Sequence, residues 1–205
     1  MDSQRHIAIV PAKEKSRRCK NKNWRPFMHE ESLAEKKFIT SLATGYFTET
    51  ILSIDFDDRK EKMNFLDKPY NQYQLRACRG WSIRMRPRLL RDDSVDVVLD
   101  ALDYVGADDD DFYYLLQPTS PFLRGETIFK AINAVQAYRA YGDCTVVTVN
   151  PAYKPNGGLY AGKVRNLRKY WNFYEPNVVP LVLDWRESMD IDEEHDFQIA
   201  RSLME

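Results

Sequence analysis

Cysteine and histidine are scarce in this 205-residue chain, which contains three of each. Cys19, Cys78 and Cys144 lie far apart and form no CxxC spacing, so neither a disulfide framework nor a cysteine-ligated zinc site is expected. The histidines are equally scattered and give no HExxH motif. These absences exclude a disulfide-held scaffold and disfavour a histidine metal centre, and we interpret the cysteines as free thiols in or near the core.

Long apolar runs and an excess of charge of one sign are also missing. The run IAIV near the N-terminus is too short for a secretory signal, and no stretch approaches the ~20 apolar residues of a membrane span. Thirty basic residues against 31 acidic ones give a net charge of −1, without the broad positive field of a nucleic-acid-binding protein. We therefore expect a cytoplasmic protein whose partners include neither membrane nor nucleic acid.

The chain does have a globular composition and a regular alternation of short apolar runs with helical patterns. No linker, repeat or low-complexity segment interrupts it, so residues 1–205 are predicted to form one domain. The alternation predicts βαβ units, and hence an α/β fold with a mainly parallel central sheet. Strands are predicted over residues 6–12, 50–54, 82–85, 112–117, 144–149 and 178–183, and helices after Ser32, near Ser94, around 128–138 and after Asp192. Residues 155–158, with the sequence PNGG, predict a turn.

A strongly basic loop follows the first predicted strand. It contains Lys13, Lys15, Arg17, Arg18, Lys20, Lys22 and Arg25. In open α/β sheets, ligands bind outside the carboxyl ends of the strands, where this loop emerges. Cations there can hold a triphosphate and stabilise the charge of departing pyrophosphate. A solvated basic loop or a localisation-like tract is the alternative interpretation.

A pair of carboxylates lies late in the chain, in the sequence MDID. If residues 189–192 are extended, Asp190 and Asp192 project from one face while Ile191 points into the core. Two neighbouring carboxylates suit a Mg²⁺ ion bound to phosphate oxygens. The alternative is that Asp192 is simply the N-cap of the helix that follows, and the two roles are compatible.

A third motif, LLQPTSPFLR, follows a strong central strand. Its two prolines block continuation of the strand. Gln117, at the mouth of the predicted site, can both donate and accept hydrogen bonds to a ligand. Taken alone, the motif indicates only a proline-bounded turn.

Six blocks of the sequence, in the same order, resemble the CMP-acylneuraminate synthetase family, the cytidylyltransferases that activate sialic acid and related sugars. PAKEKSRRCKNKNWRPF (11–27) aligns without a gap with the family signature PARGGSKxxPxKNxxPF. The other blocks are LSID (52–55), RPRLLRDDS (86–94), LLQPTSPFLR (115–124), NGGLY (156–160) and DIDEEHDF (190–197). Their order and spread make the resemblance far more specific than any single block.

The resemblance implies a Rossmann-like three-layer nucleotidyltransferase fold and transfer of CMP from CTP to a sugar acid, with Mg²⁺ as cofactor. Carried over by position, the implied catalytic residues are Lys13, Arg17, Lys22 and Asp192. The implied nucleotide-binding residues are Ala12, Lys13, Ser16, Asn23 and Ser94. Gln117 would face the acceptor, and Asp190 with Asp192 would hold the metal. A homodimer is an assembly that the resemblance allows, and no general base is evident.

Three departures from the family pattern bear on these expectations. The paired glycines of the signature are Glu14 and Lys15 here, although glycine allows backbone amides to approach phosphate closely. The signature proline is Lys20. Family members also have a long excursion, contributing to the sugar pocket and the dimer interface, where this chain has only residues 150–156. The acceptor-binding arm is therefore predicted to be shortened.

These departures leave several alternatives open. The acceptor could be a smaller acid such as a phosphonate, with Arg84, Arg86, Arg88 and Arg91 as a substitute anion site, although these arginines equally suit a solvated strand edge. A second alternative is a nucleotide-binding homologue that has lost turnover. A third is nucleic-acid binding through the basic loop.

Overall fold

Seven strands form one central sheet in this computed structural model, which describes residues 4–56, 63–86, 93–138 and 142–204. The strands of the chain are β1 (His6–Ala12), β2 (Pro26–Met28), β3 (Glu31–Ser32), β4 (Glu49–Ile54), β5 (Trp81–Met85), β6 (Phe112–Leu116), β7 (Thr145–Val149), β8 (Pro155–Lys163) and β9 (Val178–Val182). The helices are α1 (Leu33–Ala43), α2 (Pro69–Ala77), α3 (Ser94–Tyr104), α4 (Gly125–Ala137), α5 (Val164–Tyr170) and α6 (Glu194–Ser202), with a 3-10 helix over Asn64–Asp67. Strands β2 and β3 form a separate hairpin.

The central sheet is mainly parallel, as the sequence predicts. Its strand order is β5-β4-β1-β6-β8-β7-β9, and within the described ranges only β8 runs antiparallel to its neighbours. The central strand β1 is a continuous apolar run because both of its faces are covered, and Ile7, Ile9 and Val10 are fully buried. This order places the carboxyl ends of β1, β4, β5 and β6 at one edge of the sheet.

Helices cover both faces of the sheet and confirm the three-layer α/β fold. Phe38 of α1 and Ile128 of α4 belong to the core on one face. Val98 of α3 and Leu167 of α5 belong to the core on the other. None of the helices in the described ranges is long and apolar enough to cross a membrane.

A third apolar cluster joins the basic loop to the C-terminal part of the chain. Cys19 and Phe27 of the loop region pack with Leu33, Ile191 and Phe197, all of them buried. The Phe27 and Phe197 rings meet edge to face at 5.4 Å. This cluster brings two features that are distant in sequence, the cations after β1 and the carboxylates of residues 189–192, to the same edge of the sheet.

The predicted turn at residues 155–158 is wrong, because these residues begin β8. The reversal instead occurs over residues 150–154, where the Asn150 side-chain oxygen accepts hydrogen bonds from the backbone N–H groups of Ala152 and Lys154, both at 3.0 Å. Gly157 has a positive φ of 78°, a backbone conformation common in turns, which explains why the sequence PNGG predicts a turn. The residue nevertheless lies within β8.

The N-cap of α6 also differs from the prediction. Glu193, not Asp192, is the capping residue, and it forms a reciprocal capping box with Asp196. The Asp196 carboxylate accepts from the backbone N–H of both Asp192 (3.0 Å) and Glu193 (2.8 Å). The Asp192 side chain is thereby left to interact with the basic loop. Ser32 does cap α1 as predicted, accepting from the N–H of Glu35 at 3.2 Å.

Candidate active site

A cavity of about 570 Å³ lies at the carboxyl ends of β1, β5 and β6. Of the residues predicted from the sequence, it brings together Lys13, Lys22, Asn23, Ser94, Gln117, Asp190 and Asp192. The remainder of its lining includes Arg86, Asp93, Thr119, Gly157, Tyr160 and residues 171–174. The lining thus combines cations and carboxylates with aromatic and uncharged polar side chains.

Three predicted residues do not line this cavity. Ala12 is fully buried and pairs with Ile54 in the sheet. The Ser16 hydroxyl donates to the Cys19 carbonyl at 2.5 Å and accepts from the Lys22 N–H at 3.2 Å, so it shapes the loop. Arg17 is exposed. A direct contact of these three side chains with a nucleotide stays a prediction from the family resemblance.

Ion pairs attach the basic loop to the C-terminal segment. Lys22 Nζ donates to the Ile191 carbonyl and lies 3.5 Å from an Asp192 carboxylate oxygen. Arg18 pairs with the same oxygen at 3.0 Å, and Arg25 pairs with Glu194 at 2.9 Å. Some of the seven basic residues thus hold the loop in place, while Lys13 and Lys22 are the two that line the cavity.

Asp55, the last residue of the LSID block, connects the loop with the end of β5. Its carboxylate accepts from the Glu14 backbone N–H at 2.6 Å and lies 3.7 Å from the Arg86 guanidinium. Arg86 is 8% exposed and lines the cavity. Arg84 instead forms a bidentate pair with Asp100 of α3, at 2.9 and 2.8 Å. Residues 87–92, which include Arg88 and Arg91, lie outside the described residues.

Asn23 carries a buried acceptor that no described residue satisfies. The residue is 5% exposed, and its Nδ2 donates to the Lys13 carbonyl at 3.3 Å. Its Oδ1 has no hydrogen-bond partner among the described residues. Because buried polar atoms usually have partners, this oxygen is available to a donor group of a ligand.

The two late carboxylates lie side by side in the cavity, as predicted. Ile191 between them is fully buried, and its N–H donates to the Thr119 carbonyl at 2.9 Å. Burial raises the pKa of Asp190, and the charge of Asp192 adds to this, against a hydrogen bond with Thr119. No group of three or more metal-ligating side chains occurs in the described part of the chain. Two carboxylates nevertheless fit Mg²⁺, which usually takes one or two from the protein and its other ligands from phosphate and water.

The cavity also has an aromatic wall that sequence reasoning missed, formed by Tyr160, Trp171, Phe173 and Tyr174. Phe173 stacks on Tyr160 at 4.8 Å, and the hydroxyls of Tyr160 and Tyr174 are 3.2 Å apart. Burial, followed by the Tyr174 hydrogen bond, raises the pKa of Tyr160. Gln117 is held nearby, since its N–H donates to the Gly158 carbonyl at 3.1 Å. The NGGLY block marks Tyr160, but no spacing signal marks residues 171–174.

The mainly parallel sheet, with a cavity at the carboxyl ends of its strands, defines an α/β protein with a candidate ligand site at that position. No family model matches the chain. It is 26% identical to a CMP-N,N'-diacetyllegionaminic acid synthase of Legionella pneumophila subsp. pneumophila (strain Philadelphia 1), with 98% of this chain and 97% of the relative covered. It is 23% identical to an N-acylneuraminate cytidylyltransferase of Escherichia coli O18:K1:H7, with 97% of this chain but only 52% of the relative covered.

A solved structure supports the same assignment of the fold. The structure of CMP:2-keto-3-deoxy-manno-octonic acid synthetase complexed with CTP matches with a TM-score of 0.65 at 13% identity, covering 98% of both chains. The resemblance to the CMP-acylneuraminate synthetase family and the predicted three-layer nucleotidyltransferase fold are therefore confirmed.

Proposed function

We propose that this protein is a cytidylyltransferase that transfers CMP from CTP to a sugar acid and releases pyrophosphate. The observation that carries the proposal is the meeting of Lys13 and Lys22 with Asp190 and Asp192 in one cavity. These residues come from opposite ends of the chain, and each occupies a matching position in the family blocks. The curated relatives are named for the same class of reaction.

In the proposed reaction, the acceptor hydroxyl oxygen forms a bond to the α-phosphorus of CTP. The bond between that phosphorus and the oxygen bridging to the β-phosphate breaks, pyrophosphate leaves, and the hydroxyl proton passes to solvent. Catalysis of this kind depends mainly on positioning and charge neutralisation. Lys13 and Lys22 would neutralise the triphosphate, and Asn23 with Ser94 would orient the nucleoside.

The cofactor in this proposal is Mg²⁺, held by Asp190 and Asp192. It would supply charge neutralisation at the phosphate oxygens. Arg18 and Lys22 pair with Asp192, and the raised pKa of Asp190 reflects a partly buried carboxyl beside a second carboxylate. A divalent cation would offset that repulsion.

Asp192→Asn tests the metal assignment. We expect loss of Mg²⁺-dependent turnover with the fold retained, because an exposed pair such as Arg18–Asp192 contributes only about 0–1 kcal/mol to stability, and Lys22 keeps its hydrogen bond to the Ile191 carbonyl. Asp109→Asn is the matched control, since Asp109 also pairs with an arginine, at 2.7 Å, but lies at the opposite edge of the sheet. Parent-like turnover of Asp192→Asn would remove it from the site.

One observation favours the alternative of a nucleotide-binding homologue without turnover. Glu14 replaces the first glycine of the family signature, and its backbone N–H already donates to Asp55, so that amide is not free for phosphate. A phosphonate acceptor is the other alternative, because Arg86 supplies a buried cation in the cavity. A cytoplasmic location and a homodimer stay predictions within this proposal.

Pyrophosphate release from CTP and Mg²⁺ separates these alternatives. The acceptors to compare are N-acetylneuraminic acid, N,N'-diacetyllegionaminic acid, 2-keto-3-deoxy-manno-octonic acid and a small phosphonate. Acceptor-dependent release supports the cytidylyltransferase, and the preferred acid identifies its class. No release with any acceptor, together with a CTP-induced thermal shift, would leave only nucleotide binding.

A further inference from the structure

Trp171 adopts a backbone conformation that a bulky residue rarely takes. It ends α5 in the left-handed region, with φ 52° and ψ 37°, and its N–H donates to the Leu167 carbonyl at 3.0 Å. Glycine or asparagine normally occupies such a helix end, because a large side chain is strained there. Ending the helix therefore does not by itself explain a tryptophan at this position.

The side chain of Trp171 joins two walls of the cavity. Its indole Nε1 donates to an Asp96 carboxylate oxygen at 3.0 Å, which connects the end of α5 to the first turn of α3. The residue lines the cavity yet remains 57% exposed. Two residues later, Phe173 stacks on Tyr160. The indole is thus tethered at the mouth of the cavity, with much of its surface uncovered.

We propose that Trp171 is a specificity-determining residue that contacts the acceptor, with its indole packing against the apolar face of a sugar ring. The proposal rests on the proposed cytidylyltransferase function. Backbone strain is retained where the surrounding structure and a function require it. The ring is amphipathic, with an apolar face for the C–H groups of a sugar and a polar N–H already fixed by Asp96.

The neighbours of Trp171 favour the acceptor over the triphosphate. Lys22, one of the two loop cations that would hold the triphosphate, lies 3.5 Å from Asp192. Trp171 is continuous with Asn172 and Phe173, and Phe173 stacks on Tyr160 of β8, the strand whose Gly158 carbonyl accepts from the N–H of Gln117. Amides and hydroxyls meet the edges of a sugar, and aromatic faces meet its C–H surface. This wall would provide acceptor contacts despite the short connection over residues 150–154.

Two variants separate the acceptor role from a structural one. Trp171→Asn suits the left-handed backbone and removes the ring, so the melting temperature should stay the same or rise. Its KM for the acceptor should rise about three- to tenfold, as expected for loss of one aromatic contact, while its KM for CTP changes by less than about twofold. Trp171→Phe should lie between this variant and the parent. Trp185→Phe is the control, since Trp185 is 64% exposed and does not line the cavity.

Intrinsic fluorescence provides a readout that is independent of turnover. Adding N-acetylneuraminic acid or 2-keto-3-deoxy-manno-octonic acid, in the presence of CTP, should change the emission of the parent and of Trp185→Phe but not of Trp171→Phe. An emission change without pyrophosphate release would refute the proposed activity while supporting the contact. Unchanged acceptor KM in Trp171→Asn, a rise confined to the KM for CTP, or no emission change with either acid would overturn the role of Trp171.

Discussion

Lys37 is a buried lysine whose loss of a proton should raise the free energy of unfolding as pH increases above 7. It lies on α1, is 2% exposed, and donates from Nζ to the Ser120 carbonyl at 2.8 Å. Burial, with a smaller contribution from Lys36, lowers the pKa of Lys37 from 10.5 to about 7, and Glu187 opposes this shift. The hydrogen bond lies directly behind the proline-bounded turn that holds Gln117 and Thr119.

The protonation of Lys37 in the folded and unfolded chains determines whether stability rises or falls with pH. Between pH 7 and 10.5 the unfolded chain keeps the Lys37 proton and the folded chain has lost it, so the folded state becomes more stable as pH rises. Each pH unit is worth at most about 1.4 kcal/mol, which gives roughly 2 kcal/mol between pH 7 and 9. Below pH 7 both states are protonated, and the full burial penalty of Lys37 is present.

Lys37→Met removes this titration while keeping a side chain of similar length. Part of its benefit at pH 7 is offset by loss of the hydrogen bond to the Ser120 carbonyl, worth about 0.5–1.5 kcal/mol, although that oxygen still accepts from the Leu123 N–H at 3.3 Å. The absolute difference from the parent is therefore less informative than its change with pH. The stability advantage of Lys37→Met should shrink by roughly 2 kcal/mol between pH 7 and 9.

Urea unfolding at pH 7, 8 and 9 and constant ionic strength measures this difference. Taking the difference between variant and parent cancels the other groups that titrate in this range, such as the cysteines. Lys130→Met, at an exposed position of α4, is the control, and its difference from the parent should not vary with pH. A Lys37→Met difference that is equally constant would refute the reasoning.

Two further predictions concern the phosphate end of the site and the packing of the sheet. Lys22→Ala should lower kcat by about 100-fold, because charge neutralisation matters most in the transition state, and a parent-like kcat would remove Lys22 from the reaction. Gly80→Ala should destabilise the protein by about 1–3 kcal/mol, because the added Cβ would lie 2.9 Å from the Thr48 carbonyl oxygen. Gly125→Ala, whose Cβ would meet only Thr44 at 3.6 Å, should be neutral or stabilising, and equal effects in urea unfolding would contradict the packing argument.

The sheet could be predicted from the sequence because buried parallel strands are short apolar runs. β1 and β6 are such runs, and Ser32 signals the start of α1 through local chemistry. The cap of α6 could not be predicted in the same way. Asp192, Glu193 and Asp196 all have carboxylates that suit a helix start, and only their tertiary surroundings determine which one caps.

The candidate site likewise contains residues that the local sequence predicts and residues whose role depends on tertiary packing. Lys22 and Asp190 could be predicted because they lie in recognisable blocks, and the chain brings both to the cavity. Trp171 could not, because an aromatic residue after a helix has no periodicity that distinguishes a cavity wall from surface. Lys37 also escaped prediction, since a lysine in an amphipathic helix normally faces solvent and only the packing of Ser120 against α1 buries it.

The most direct test of the central claim is to identify the product formed from CTP, Mg²⁺ and a sugar acid by mass spectrometry, with pyrophosphate measured in the same sample. The proposed function predicts one CMP-linked sugar acid for each pyrophosphate released, with neither product formed by Asp192→Asn. Release of pyrophosphate with free CMP as the sole nucleotide product, or binding of CTP without any product, would contradict it.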